Sequence, residues 1–366
     1  MRIFIQSLTG SIIGVIAAII FLCFCCIVCC FVLFLLLFSG NNNLTMSRNI
    51  NFTPVELSYI SKSLSDQIKI PKNKILILDI NGIILTDKSN EFVSLLAIEP
   101  VVYAQDVVKA IDTIKTSNDK TWKAILLRIN SPGGTAVGGE LISKALADIQ
   151  DNLNIPVYAY ISDLGASAAY MIASVSKNIY VGNSSLVGSI GITLGTIPYY
   201  KGVRSINDIT TREDVEFYTF YAGKGKDFGN SFRKITEEEI SHYNKILQNS
   251  YDSFLKFVSN SRGIDINMLK DSIGAYLFDG YSAIEKKLAD QIGTEQDVVN
   301  KIIADLQLNP SETQFFKVNQ NVGLFASLFA SINETIKSQN QSKINRCPLV
   351  GTVLYLHGDP LQYCKL

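Results

Sequence analysis

Histidine is nearly missing from this 366-residue chain, which carries only His242 and His357. His242 follows three glutamates on a helical stretch and His357 lies in a polar tail, so neither is placed to serve a Ser–His–Asp triad. H-E-x-x-H, the P-loop pattern and G-x-G-x-x-G are missing as well, which removes zincin, nucleotide-phosphate and dinucleotide readings. Charge imbalance is also lacking: 33 basic residues offset 33 acidic ones, with no basic block, so nothing marks a nucleic-acid partner. Outside one apolar run the only cysteines are Cys347 and Cys364, and their spacing suggests no metal site. They fit a tail disulfide or a pair of free thiols equally well. No metal or other cofactor is called for.

One long apolar run stands against these absences. From Ile12 to Phe38 the chain is almost wholly apolar, and no charge falls between Arg2 and Arg48. About 20 such residues cross a bilayer as a helix. A cleaved signal peptide would have a shorter apolar core and an A-x-A-like site, whereas "FSGNNN" follows here. The run therefore predicts one N-terminal transmembrane anchor within residues 1–40. Arg2 on one side and Arg48, Lys62 and Lys69 on the other do not fix its direction. Cys23, Cys25, Cys26, Cys29 and Cys30 lie inside it, as small hydrophobes.

Residues 41–72 read as a linker with a stalk helix over 53–68, apolar at Val55, Leu57, Ile60, Leu64 and Ile68 and opened by Thr53–Pro54. A strand pair over 74–85, broken near Asn81–Gly82, then opens the folded part. Next come a helix over 104–117, a strand over 123–130, a Gly-rich turn, a helix over 140–149, a strand over 155–162, a helix from Gly165 and a strand over 178–181. Apolar strands alternating with helices predict parallel pairing with both sheet faces covered. Thr236 and Glu239 form a capping-box pattern before a long amphipathic helix ending by Gly263, and a short helix follows near 283–288. From 305 to 366 the chain reads as a polar tail with one amphipathic piece at 323–332.

With histidine unavailable, a serine nucleophile needs another base, and lysine is the physical alternative. An amine acts as a base only when neutral, which burial in apolar surroundings favours. In "DLGASAAYMIAS" Ser167 sits among small residues at the start of a helix, where the Ala168 N–H would favour negative charge on a bound carbonyl. In "INSPGGT" the glycines after a strand let backbone approach closely and aim N–H groups at an oxyanion. Taken singly, each stretch reads at least as well as a packing feature, and the glycine turn better as a plain strand-to-helix connection.

Together, "LLRINSPGG", "GASAAYMIAS", "SSLVGSIGI", "AGKGKDFGNSFRKITEEE" and "FDGYSAIEKKLADQIG" resemble the signal peptide peptidase A group of protease IV-class Ser–Lys peptidases over residues 74–300. The resemblance implies an α/β fold of ClpP/crotonase-like repeated ββα units, with residues 73–304 as the protease domain. It also implies Ser167 as nucleophile, Lys226 as general base, Ser189 as the serine that bonds the lysine amine, and Gly134 and Ala168 as oxyanion donors. "GKGKD" offers Lys224 as a second lysine, but the adjacent aspartate points to Lys226. Lys287 departs from the family, standing where glycine is usual. The single protease unit matches the family's short form, whose protomers form a ring and share Ser and Lys between neighbours.

The implied partners are hydrophobic peptides such as signal-peptide remnants, the lipid bilayer and further copies of the chain. The implied location is the bacterial inner membrane, with an extracytoplasmic catalytic domain. A crotonase-like acyl-CoA enzyme, needing neither Ser167 nor Lys226, and a catalytically inactive membrane scaffold are the competing expectations.

Overall fold

The computed structural model describes residues 50–57, 71–87, 100–197, 199–200, 205–206, 209–210, 218–319 and 354–356. The chain divides into two units, Met1–Asn49 and Ile50–Leu366, and every described residue belongs to the second. The expected anchor therefore lies outside the described residues, as do the 323–332 piece, His357, Cys347 and Cys364. Among the described residues no helix is long and apolar enough to cross a membrane.

The elements alternate as the apolar pattern requires. Strands β1 (Asn51–Val55), β2 (Asn73–Asn81), β3 (Ile83–Leu85) and β4 (Val101–Tyr103) precede helix α1 (Ala104–Thr116). Then follow β5 (Trp122–Ser131), β6 (Gly133–Thr135), α2 (Ala136–Leu153), β7 (Val157–Ala166), α3 (Ala168–Ser174), β8 (Asn178–Val181) and β9 (Leu186–Gly188). A two-strand hairpin, β10 (Ser205–Ile206) and β11 (Ile209–Thr210), leads to the long helix α4 (Glu237–Arg262). The last elements are β12 (Leu277–Phe278), α5 (Gly280–Glu285), β13 (Gln291–Ile292), α6 (Glu295–Asp305), β14 (Thr313–Asn319) and β15 (Leu354–Leu356).

The central sheet runs β1-β14-β2-β5-β7-β8-β13 and is parallel from β14 to β13, with β1 antiparallel at one edge. Its strands are apolar on both faces, as a doubly covered parallel sheet demands. Leu76, Leu78, Ile125, Leu127 and Ile129 join one core with α1, α2, α3 and the end of α4. Ile75, Ile77, Leu126 and Tyr158 join a second core closed by Val298, Val299 and Ile302 of α6. The structure is thus mixed α/β around a mostly parallel sheet, as expected.

A second, smaller sheet, β15-β6-β3-β4, forms because two strands of the first bend out of it. The first bend is at Gly82, with φ +84°, where a Cβ would lie 1.9 Å from the Pro100 carbonyl oxygen. The other is at Pro132–Gly133, with φ +100° at Gly133, whose N–H donates to the buried Ser131 Oγ at 3.1 Å. Each of β2–β3 and β5–β6 is therefore a long strand, a kink and a short strand, and β5–β6 leads straight into α2 as a ββα unit.

Three expectations need correction. Thr53–Pro54 do not start a stalk helix: they lie in β1, paired with Lys317 and Phe316, since an edge strand tolerates the missing proline N–H. The polar tail does not begin at 305. Residues 313–319 form β14 inside the main sheet, and Phe315 and Phe316 pack in the two cores, while the flanking polar residues mask the strand in the sequence. The helix expected over 140–149 begins at Ala136, because Thr135 Oγ1 accepts from the Gly138 N–H at 3.2 Å and caps it. The glycines within its first turns are there for packing, since a Cβ on Gly139 would meet the Ala168 Cβ at 3.0 Å.

Lys287, which replaces the expected glycine, adopts φ +60° itself, so the turn is kept at the expense of left-handed backbone on a lysine. Its carbonyl accepts from Arg262 Nε and Nη2 at 3.2 and 3.1 Å, which fastens the end of α4 beneath this turn.

Candidate active site

Ser167 occupies the corner where β7 becomes α3. Its backbone sits at φ +58°, ψ −117°, a conformation that a residue with a side chain adopts only under constraint. The constraint is visible. The Ser167 N–H donates to the Gly188 carbonyl of β9 at 2.8 Å, and its carbonyl accepts from the Met171 N–H at 2.9 Å. The side chain is buried, with Oγ 3.5 Å from the Gly191 carbonyl oxygen.

Ser189 is brought beside it by sheet register. β7 and β9 are parallel with Ala166 opposite Gly188, so Ser167 and Ser189 are the next residues along each strand. Ser189 is also buried and also left-handed, with φ +52°, and its N–H donates to the Tyr276 carbonyl at 2.8 Å. Ala168 opens α3, where the first N–H groups have no intrahelical acceptor. Gly134 lies in β6, which packs against α3. It is held so close to β3 that a Cβ would fall 1.9 Å from the Ile84 carbonyl oxygen. Four of the five residues singled out in the sequence thus collect around one corner.

Lys226 makes no described hydrogen bond or ion pair with any of them. It is exposed on a turn closed by its own N–H donating to the Gly223 carbonyl at 3.1 Å. The neighbouring Lys224 pairs with Glu238 at 2.6 Å, whereas no described hydrogen bond or ion pair engages the Lys226 amine. The turn is fastened to the start of α4. Only Phe254, Leu255 and Val258 of α4 are buried, and through its far half the helix packs on α3. Glu239 is some 20 Å along the axis from Phe254, at about 1.5 Å per residue.

Two features of this region carry little signal in the sequence. Ser131 shapes the glycine turn from beneath through its bond to the Gly133 N–H. Arg233 joins Asp227 to Glu239, and the spacing of Lys-Asp, Arg and the capping box was its only signal. The second sheet carries a third. β15 pairs antiparallel with β6, placing Tyr355 opposite Gly134 and Leu356 opposite Gly133. The edge beside the candidate oxyanion strand therefore holds an extended peptide segment from the same chain.

A constrained serine at a strand–helix corner beside a glycine-rich strand sets a hydroxyl next to backbone N–H groups, the parts that acyl transfer needs. Residues 150–309 match Peptidase family S49. The chain is similar to that family over this stretch, which contains Ser167, Ser189 and Lys226. It is 30% identical over 207 residues to a Methanocaldococcus jannaschii protein named as a protease, covering 57% of this chain and 64% of that one. It is 29% identical over 213 residues to an Enterococcus faecium protein named for signal peptide peptidase A, covering 58% and 59%. It is 26% identical over 274 residues to protease 4 of Haemophilus influenzae, covering 73% of this chain and 41% of that protein. The chain spans about three fifths of the length of the first two.

Proposed function

We propose that this protein is a membrane-anchored serine endopeptidase that uses Ser167 and Lys226 to cleave hydrophobic peptides, such as signal-peptide remnants, through an acyl-enzyme. The observation that carries the reading is the Ser167 corner, buried and strained beside a strand edge that already accepts an extended backbone. In the first step the neutral Lys226 amine removes the Ser167 Oγ proton as Oγ bonds to the substrate carbonyl carbon. The carbonyl oxygen gains the charge and is met by the N–H groups of Gly134 and Ala168, where losing one donor typically lowers kcat about 100- to 1000-fold. The carbon–nitrogen bond then breaks, the leaving amine takes the proton from Lys226, and water releases the acyl group. Ser189 holds the amine. No cofactor enters this scheme.

The exposure of Lys226 supports sharing of the site between copies: the amine of one protomer completes the Ser167 corner of its neighbour in a homo-oligomer. In this reading the Ile12–Phe38 run anchors the assembly in the bacterial inner membrane beside apolar substrates, with the catalytic domain on the extracytoplasmic side.

Labelling the assembled protein with a fluorophosphonate and mapping the labelled peptide tests the nucleophile, with Ser167 expected. Ser167→Ala and Lys226→Ala should each abolish hydrolysis of a hydrophobic peptide. Mixed oligomers of the two variants should regain part of it, because some sites then hold both groups. Full activity in either single variant overturns the dyad. Inactive mixed oligomers, with the single variants also inactive, overturn its sharing between subunits.

A further inference from the structure

We propose that Arg233 is the positioning residue for the base, holding the Lys226 turn onto the N-terminal end of α4 by clamping Asp227 to Glu239. This rests on the Ser167–Lys226 reading and adds what makes its exposed half rigid.

The turn cannot fix itself. Gly223, Gly225 and Gly229 surround Lys226 at φ +99°, +76° and +87°, and a Cβ on any of them would meet nothing within 4 Å. Such a loop lacks packing, yet catalysis requires the amine to be held within a fraction of an ångström of its working position. Arg233 provides the missing constraint. Its Nε and Nη2 donate to the two Asp227 oxygens at 2.6 and 2.7 Å, while Nη1 and Nη2 donate to the two Glu239 oxygens at 2.9 and 2.6 Å. The remaining Nη1 capacity goes to the Lys234 carbonyl at 2.9 Å.

Both carboxylates are largely withdrawn from water, with side-chain exposures of 5% for Asp227 and 11% for Glu239, unlike the open Lys224–Glu238 pair at 80% and 65%. Glu239 Oε2 also accepts from the Thr236 N–H and Oγ1 at 3.0 and 3.1 Å, which closes the capping box of α4. One hydrogen-bonded unit therefore runs from the residue beside Lys226 into the first turn of a 26-residue helix. Phe228 adds an apolar fastening by stacking on Tyr243 with ring centroids 3.7 Å apart. Four bonds to two carboxylates need a planar fork, so lysine cannot replace arginine here.

The test compares peptide hydrolysis by the full assembled chain and its variants. Arg233→Ala should lower kcat about 100-fold with KM within about threefold, the scale expected when a reacting group is misplaced by about an ångström. Asp227→Asn, which keeps the shape but weakens the clamp, should lower kcat about tenfold. Arg233→Lys should not restore wild-type kcat. Added ethylguanidinium should raise the kcat of Arg233→Ala at least severalfold and leave Lys226→Ala unchanged. Circular dichroism and sedimentation should show unaltered folding and assembly.

Wild-type kcat in Arg233→Ala, while Lys226→Ala is inactive, overturns the clamp and leaves the dyad standing. Loss of assembly in Arg233→Ala that ethylguanidinium does not repair also overturns it, since the role is then structural. Full activity in Lys226→Ala overturns the dyad and the clamp with it.

Discussion

The Ser167 N–H donates to the Gly188 carbonyl oxygen at 2.8 Å, so the strained corner depends on a residue 21 positions further along the chain. Gly188 itself sits at φ +122°, where side chains are excluded, and a Cβ there would lie 2.5 Å from the Tyr276 carbonyl oxygen. Gly188→Ala should therefore push β9 away from β12 and release the corner. We expect a loss of about 2–4 kcal/mol in unfolding free energy and slower fluorophosphonate labelling of Ser167. Urea titration and labelling kinetics on the same samples measure both. Unchanged labelling would show that the corner holds itself.

Ser131→Ala addresses the glycine turn from beneath. The hydroxyl is fully buried and accepts from the Gly133 N–H at 3.1 Å, and removing it strands a buried donor. That should lower stability by about 1–3 kcal/mol. Because Gly134 follows directly, its N–H loses its aim, and kcat should fall about tenfold or more with little change in KM. A variant with lowered stability and unchanged kcat would limit Ser131 to a folding role.

The alternation of long strands and helices from Asn73 to Val181 was legible because each segment carries its own period and its own punctuation, such as Gly82 and Pro132, whereas the three-residue β4 and β6 are too short to show a period. The long helix α4 was legible for the same reason, its Thr236–Glu239 capping box marking the start and Gly263 the end. β14 was not, since Thr313–Asn319 mixes buried phenylalanines with polar neighbours and pairs with a strand some 240 residues earlier. Ser167, Gly134 and Ala168 stood out through local composition and Ser189 through the family resemblance, and register then set the two serines at the ends of neighbouring strands. Arg233 did not, because an arginine's importance lies in what its fork reaches, and spacing alone does not show that.

Stability should also have an acidic limb with a traceable source. The Lys74 amine bonds Asp119 at 2.7 Å, and that bond, followed by those from Thr121, holds the Asp119 carboxyl down at about 2 from its usual 3.8. The folded value is the lower one, so this contribution is complete above about pH 4 and is lost as pH falls towards 2. It should amount to about 1–2 kcal/mol, because both side chains remain about a quarter exposed. Thermal unfolding between pH 2 and 5 should show a shallower acid dependence in Asp119→Asn than in the wild type. Identical slopes would place the acid limb elsewhere.

The proposed reaction requires a substrate strand beside Ser167, and β6 offers the edge with which such a strand would pair. β6 lies between β3 and β15, so its outer edge is covered only by Leu354–Leu356 among the described residues. A peptide extended antiparallel along Gly133–Thr135 would need the same backbone groups, because each N–H and C=O of a strand edge pairs with one neighbour at a time. Segment and substrate would therefore compete in the proposed peptidase. Within one chain the segment has the advantage of high effective concentration, which a dilute peptide must overcome. Removing residues 346–366 should lower KM for a hydrophobic peptide severalfold while leaving kcat nearly unchanged, and should speed labelling of Ser167 by a peptide-based reagent more than by a small fluorophosphonate. Initial-rate kinetics of the truncated and full chains, compared at equal labelled-site concentration, provide the measurement. An unchanged KM would mean that β15 leaves β6 before substrate arrives. A fall in kcat would mean that the pairing supports the glycine strand rather than competing for it.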